Sequence, residues 1–176
     1  MKTMITGVRP TGNITLANYI GGIRKFIEQQ KDYNSLIFIA DIHGLTTYIE
    51  PNEIRKNILD IAAMYLACGV DLESTSLFVQ SDVLEHCNLG FLISFQCEVG
   101  ELSRMTQYKS KNVELSKNDK DMGLFIYPAL MAADILLYDA EVVPVGANQR
   151  QHIEKTRDLG ERFNKVYGKT FKLPEY

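Results

Sequence analysis

Four short strand-like runs, Lys2 to Thr6, Ser35 to Ala40, Ser76 to Gln80 and Glu141 to Val145, alternate with longer segments whose apolar residues recur at helical spacing. This alternation restricts the fold more than any other feature. Strands separated by helix-length segments return in the same direction and form a parallel sheet covered by helices. The clearest crossover helix runs from Pro51 to Cys68. Pro51 suits a first helical position, Ile54, Ile58, Ile61, Tyr65 and Leu66 form an apolar stripe, and Gly69 can close the end. Two more helices are predicted between Val83 and Tyr108, and a last one over Asn148 to Tyr167 with Ile153, Leu159 and Phe163 available for packing. The polar, lysine-rich stretch from Lys109 to Asp121 reads as a mobile loop. With 176 residues, 45% of them hydrophobic, the chain suits one compact domain with a substantial core.

Composition removes several function classes. Cys68, Cys87 and Cys97 are odd in number and lack Cys-x-x-Cys spacing, which argues against a disulfide framework or a structural zinc site. Buried thiols in a reducing cytosol are the expectation. A formal net charge of −3 gives no global basic surface, so any nucleic-acid contact must be local or carried elsewhere. Met1 and Lys2 lead directly into a short apolar segment with no secretory pattern, and no apolar run reaches membrane-spanning length. A soluble, cytoplasmic protein with no membrane partner is therefore expected.

Two segments carry candidate chemistry. Asp134 interrupts the most hydrophobic stretch of the chain, Tyr127 to Tyr138, and on a helix Tyr127, Met131 and Asp134 share one face. An ionised carboxylate in apolar surroundings costs several kcal/mol unless paired, so Asp134 needs a dedicated donor. A flat apolar ligand with one N–H or O–H would serve; so would an internal salt bridge or a helix cap. The second segment follows the first strand: Gly7, Val8, Arg9, Pro10, Thr11 and Gly12 form a glycine-containing turn into the next helix, the arrangement that presents backbone N–H groups to a phosphate. Its spacing is neither the dinucleotide fingerprint nor a Walker loop, and the alternative is a simple turn made by Pro10 and Gly12.

Read in order, the segments resemble a family. The Pro10-Thr11-Gly12 turn followed by Thr15-Leu16-Ala17-Asn18 is similar to the His-Ile-Gly-His element of class I aminoacyl-tRNA synthetases, in the Thr-x-Gly-Asn form of the tryptophan enzymes. Asp41-Ile42-His43 resembles that family's Asp-x-His, and Gly100 to Gln107 resembles its Gly-Glu-Leu-x-Arg-Met-Thr-Gln block. Tyr127 to Tyr138 and Val143 to Asp158 resemble two further blocks, so the likeness covers the whole chain.

The resemblance implies a Rossmann-like class I synthetase catalytic domain over residues 1–176, α/β with a parallel sheet flanked by helices. It implies a tryptophan–tRNA ligase that activates L-tryptophan with ATP and Mg²⁺ to an adenylate and charges tRNA(Trp), as a homodimer. On the tryptophan side it implies Asp134 as acceptor of the indole N–H, with Ile5, Gly7, His43, Tyr127, Met131, Ile135, Val143, Val145 and Gln149 around it. On the ATP side it implies Arg9, Pro10, Thr11, Ala17, Asn18, Gly146, Ala147 and Asn148, with Thr15, Asn18, Lys109 and Lys111 in catalytic positions and no dedicated protein metal site. Three departures fall on the ATP side: Ala17 stands where the family has glycine, Asn148 where it has aspartate, and the residues contain no Lys-Met-Ser-Lys-Ser loop. The chain is accordingly expected to be a partial catalytic domain without the anticodon-recognising helical domain, weakly active or inactive by itself. The competing reading is a tryptophan-binding paralogue or fragment without ligase activity; a nucleotidylyltransferase sharing the phosphate turn fits the tryptophan-type blocks less well.

Overall fold

Residues 1–10, 19–106, 108, 122–146 and 149–175 are described in the computed structural model of the chain. Three parallel strands, β1 (Thr3–Val8), β2 (Asn34–Ile39) and β3 (Thr75–Val79), form one sheet in that order. Ile5 pairs with Leu36, and Leu36 with Ser76. Gly7 and Val8, expected in the turn, continue β1. A π-helical turn (Tyr19–Ile23) leads into α1 (Arg24–Gln29), and β2 is followed by the single-turn α2 (Asp41–Gly44) and the crossover helix α3 (Pro51–Ala67). After β3 come a 3₁₀ turn (Gln80–Asp82), α4 (Glu85–Ser94), α5 (Val99–Leu102), α6 (Met122–Leu136) and α7 (Arg150–Tyr167).

The expected fourth strand, Glu141 to Val145, is reduced to one bridge between Met4 and Val142. The N–H groups of Glu141 and Val142 both donate to the Thr3 carbonyl, at 3.0 and 3.1 Å, and Ile5 donates back to Val142 at 3.0 Å. Two residues later Pro144 has no N–H to continue the ladder.

Successive strand side chains point to opposite faces, so each strand feeds two cores. Met4, Ile37 and Ile39 pack with Phe26 of α1 and Ile61 and Tyr65 of α3 on one face. Ile5, Phe38 and Ala40 pack with Ile135 of α6 and Ile153 of α7 on the other. Each buried Ile, Phe or Met side chain among these contributes about 1.5–3 kcal/mol. A third cluster, Ile93, Ala129, Ala132, Leu136 and Leu159, joins α4, α6 and α7.

Sequence reading placed Leu66 in the α3 stripe, but it is exposed. It follows Tyr65 by one residue, about 100° around the helix, and so leaves the buried face. Gly69, at φ +107°, takes the left-handed conformation that ends α3. The three cysteines are free, but not uniformly buried as expected: Cys87 is exposed and the other two are half-buried. Among the described residues no helix is long and apolar enough to cross a membrane. The Lys109 to Asp121 stretch lies outside the described residues.

Candidate active site

The carboxyl edge of a parallel sheet is where α/β folds hold ligands, because strand ends and helix starts converge there. Here the Ala40 N–H, just beyond β2, donates to the Val8 carbonyl at 2.7 Å, and α2 then presents His43. The end of β3 presents Gln80, and the first turn of α4 presents His86. Opposite these, α6 presents Asp134, which is 1% exposed.

All three groups converge on Asp134. Its Oδ1 accepts from Gln80 Nε2 at 2.8 Å and from His86 Nδ1 at 2.6 Å, and its Oδ2 accepts from His43 Nε2 at 2.7 Å. The Gln80 amide is held in that orientation by the His43 backbone N–H, which donates to Gln80 Oε1 at 3.4 Å. Burial pushes the Asp134 carboxyl up, but the hydrogen bonds from His43 and His86 outweigh it, and the pKa lies below the ordinary value. Asp134 is therefore a carboxylate at neutral pH. The donor that the sequence demanded is thus supplied inside the chain, and the internal-pairing alternative holds for three of its hydrogen bonds.

Asp134 and His43 line a cavity of about 540 Å³ at the carboxyl end of β1, within the ~300–1,000 Å³ usual for small-molecule sites. Ile5, Gly7, Tyr127, Met131, Ile135, Val143, Val145 and Gln149 line it as well, so the ten residues assigned to tryptophan from sequence meet in one place. Arg9 and Gly146 lie on the same wall. Gly7 has a packing reason: a Cβ there would fall 2.7 Å from Cε2 of Phe38, which is buried beneath it. Pro10 is buried, with its carbonyl accepting from Asn57 Nδ2 at 3.2 Å. Thr11, Thr15, Ala17, Asn18, Lys109, Lys111, Ala147 and Asn148 lie outside the described residues, so the ATP side is represented by Arg9, Pro10 and Gly146 alone.

The walls are braced from behind. The Tyr127 hydroxyl meets His152 Nε2 at 2.6 Å, while His152 Nδ1 is buried without a hydrogen-bond partner among the described residues. Burial lowers the His152 pKa to about 4, so the imidazole is neutral, and burial raises that of Tyr127 to about 12. His152 does not line the cavity itself and supports the Tyr127 wall from outside it. The helix α7, whose N-terminal end carries Gln149 and His152, is tied to α5 by Glu101, which pairs with Lys155 and, bidentately, with Arg162 at 2.5 and 2.9 Å. Arg157 lies 3.9 Å from Glu161, in keeping with a salt-bridged face over residues 157–162.

Sequence reasoning missed Gln80 and His86. Gln80 carried a signal, since it is a polar residue closing an apolar strand at the ligand-binding edge. His86 carried none, because its partner Asp134 is 48 positions away.

Comparison with known proteins agrees with this geometry. A family model described as "tRNA synthetases class I (W and Y)" matches residues 1–176. The tryptophan–tRNA ligase of Wolinella succinogenes is 45% identical over 174 residues, 99% of this chain and 53% of that protein. The crystal structure of tryptophanyl-tRNA synthetase from Mycoplasma pneumoniae superposes with a TM-score of 0.96 at 42% identity, over 99% of this chain and 52% of that one. The enzyme from Campylobacter jejuni, crystallised with ADP and tryptophan, gives 0.91 at 38% identity, over 98% and 54%. The chain spans about half the length of the curated relatives it matches. With a Rossmann-like parallel sheet, a match along its full length and this identity to the relatives, the chain belongs to the class I tRNA synthetases of the tryptophan and tyrosine group.

Proposed function

We propose that this chain forms the tryptophan-binding, catalytic portion of a tryptophan–tRNA ligase of the cytoplasm. The observation that carries the reading is a buried carboxylate with one acceptor position left over among the described residues, set in the wall of a largely apolar cavity. A carboxylate offers about four acceptor positions, two on each oxygen. Among the described residues three are taken at Asp134, and the fourth, on Oδ2, suits the single N–H of an indole. A ligand lacking that N–H leaves the position desolvated and unpaired, which selects strongly against it.

In this reading Ile5, Met131, Ile135 and Val143 hold the ring, and ATP lies toward Arg9, Pro10 and Gly146 with Thr11, Ala17, Asn18, Ala147 and Asn148. Mg²⁺ arrives with the nucleotide. The amino-acid carboxylate attacks the α-phosphorus, forming tryptophanyl-adenylate and releasing pyrophosphate, and the aminoacyl group then passes to tRNA(Trp). Positioning and charge stabilisation supply the catalysis, with Thr15, Asn18, Lys109 and Lys111 directed at the phosphates.

Ala17 and Asn148, on the ATP side, favour a second reading, in which these 176 residues bind tryptophan but activate it poorly. Tryptophan-dependent ATP–pyrophosphate exchange decides between them, measured on this chain and on any longer chain the gene encodes. Exchange by the 176 residues at the rate of a complete relative would sink the second reading; no exchange by the longer chain would sink the first.

The same proposal includes a homodimer. In the apolar stretch Leu89 to Phe95, Ile93 is buried and Leu89 half-buried, while Leu92 is exposed and Phe91 and Phe95, 66% and 69% exposed, stack edge to face at 5.1 Å. Exposed apolar side chains on one short stretch suit a second copy. Light scattering at tens of micromolar tests it, and a monomer would count against it.

A further inference from the structure

Resting on the reading of Asp134 as the indole acceptor, we propose that His86 is a positioning residue that directs the acceptor: with Gln80 it fills both positions on Oδ1 and leaves Oδ2 as the only oxygen open to a ligand. The two oxygens differ in surroundings. His43, on Oδ2, lines the cavity, whereas Gln80 and His86, on Oδ1, lie behind it. His86 is 0% exposed, so its effect on a ligand passes through Asp134.

The imidazole has no freedom to do otherwise. Asp134 accepts only, so His86 Nδ1 carries the proton it shares, and Nε2 meets the Tyr138 hydroxyl at 2.8 Å. Phe38, Phe78 and Tyr138 surround the ring with centroids 5.6, 6.0 and 5.4 Å away. A carboxylate held by two donors on one oxygen cannot turn that oxygen toward the cavity without leaving a buried donor unpaired. The direction of the free acceptor, and with it the preference for a ligand with one N–H, depends on a residue no ligand touches.

The test compares L-tryptophan with 3-(3-benzothienyl)-L-alanine, in which sulfur replaces the indole N–H, by calorimetry on this chain. His86→Leu removes the donor, and His86→Asn keeps an N–H at the δ position. The preference for tryptophan over the sulfur analogue should fall about tenfold in His86→Leu. His86→Asn should retain it, and the analogue should bind both variants as it binds the unmodified chain. If His86→Leu does not fold, Tyr138→Phe serves in its place, keeping the ring and removing the hydroxyl that holds His86 Nε2; a several-fold loss of preference is expected there. Equal weakening of both ligands, or an unchanged preference, would overturn the role of His86. A chain with no preference before mutation would instead overturn the assignment of Asp134, and this inference with it.

Discussion

Replacing Glu101 with Gln should lower stability by about 3 kcal/mol at pH 7, for a reason visible in its two partners. Glu101 joins α5 to α7 by pairing with Lys155 and Arg162, and its pKa is drawn from an ordinary 4.5 to about 2, chiefly by the Arg162 hydrogen bonds. At about 1.4 kcal/mol per pKa unit that shift corresponds to roughly 3 kcal/mol. The Arg162 side chain, 34% exposed, contributes less than its geometry suggests because solvent screens it. Lys155 is only 7% exposed, and an ammonium stranded there without its carboxylate costs about 3–5 kcal/mol. The two routes agree in size. Because the folded pKa is depressed, the stabilisation is complete above about 4.5 and is lost as pH falls toward 2; Glu101→Gln should flatten that dependence. Urea unfolding of Glu101→Gln, Lys155→Met and the double variant measures the coupling. The double variant should recover part of the loss, since Met removes the stranded charge while filling similar space. A Glu101→Gln chain as stable as the unmodified one, or strictly additive losses in the double variant, would refute the buried-pair reasoning.

Asp134→Ala should weaken L-tryptophan by about 1–3 kcal/mol in calorimetry through loss of the indole acceptor, and unchanged affinity in a folded variant would contradict this. Gly7→Ala should destabilise by about 1–3 kcal/mol in thermal melts, because the new methyl overlaps the buried Phe38 ring; an unchanged melting temperature would show that the ring moves aside. His152, neutral in the fold with a pKa near 4 against an ordinary 6.5, binds fewer protons than its unfolded form between those values. Its contribution is therefore full above about 6.5 and lost as pH falls toward 4, so His152→Gln should show a smaller drop in urea midpoint between pH 7 and pH 4.5 than the unmodified chain.

Much of this arrangement can be read from the residues in order. Helical spacing brought Tyr127, Met131 and Asp134 to one wall, and the strand pattern gave β1, β2 and β3 within one residue or so, apart from the continuation of β1 through Gly7 and Val8. Local periodicity fails where the deciding partner is distant. Val142 looks like a strand residue until Pro144 and the Thr3 carbonyl limit it to one bridge. Asp134 looks as though it awaits a ligand until Gln80 and His86 arrive from the turn after β3 and from α4. Leu66 looks like core until the rotation of α3 carries it outward. Charge balance in a core is a tertiary property, and a sequence shows that a donor is needed without showing which residue supplies it.

A crystal structure of this chain with L-tryptophan bound tests the site most directly. The indole nitrogen should lie about 2.7–3.2 Å from Asp134 Oδ2, with Oδ1 still accepting from Gln80 and His86 and His43 remaining on Oδ2. Tryptophan bound with its indole nitrogen directed away from Asp134, or bound outside this cavity, would contradict the assignment of Asp134 as the residue that recognises the ligand.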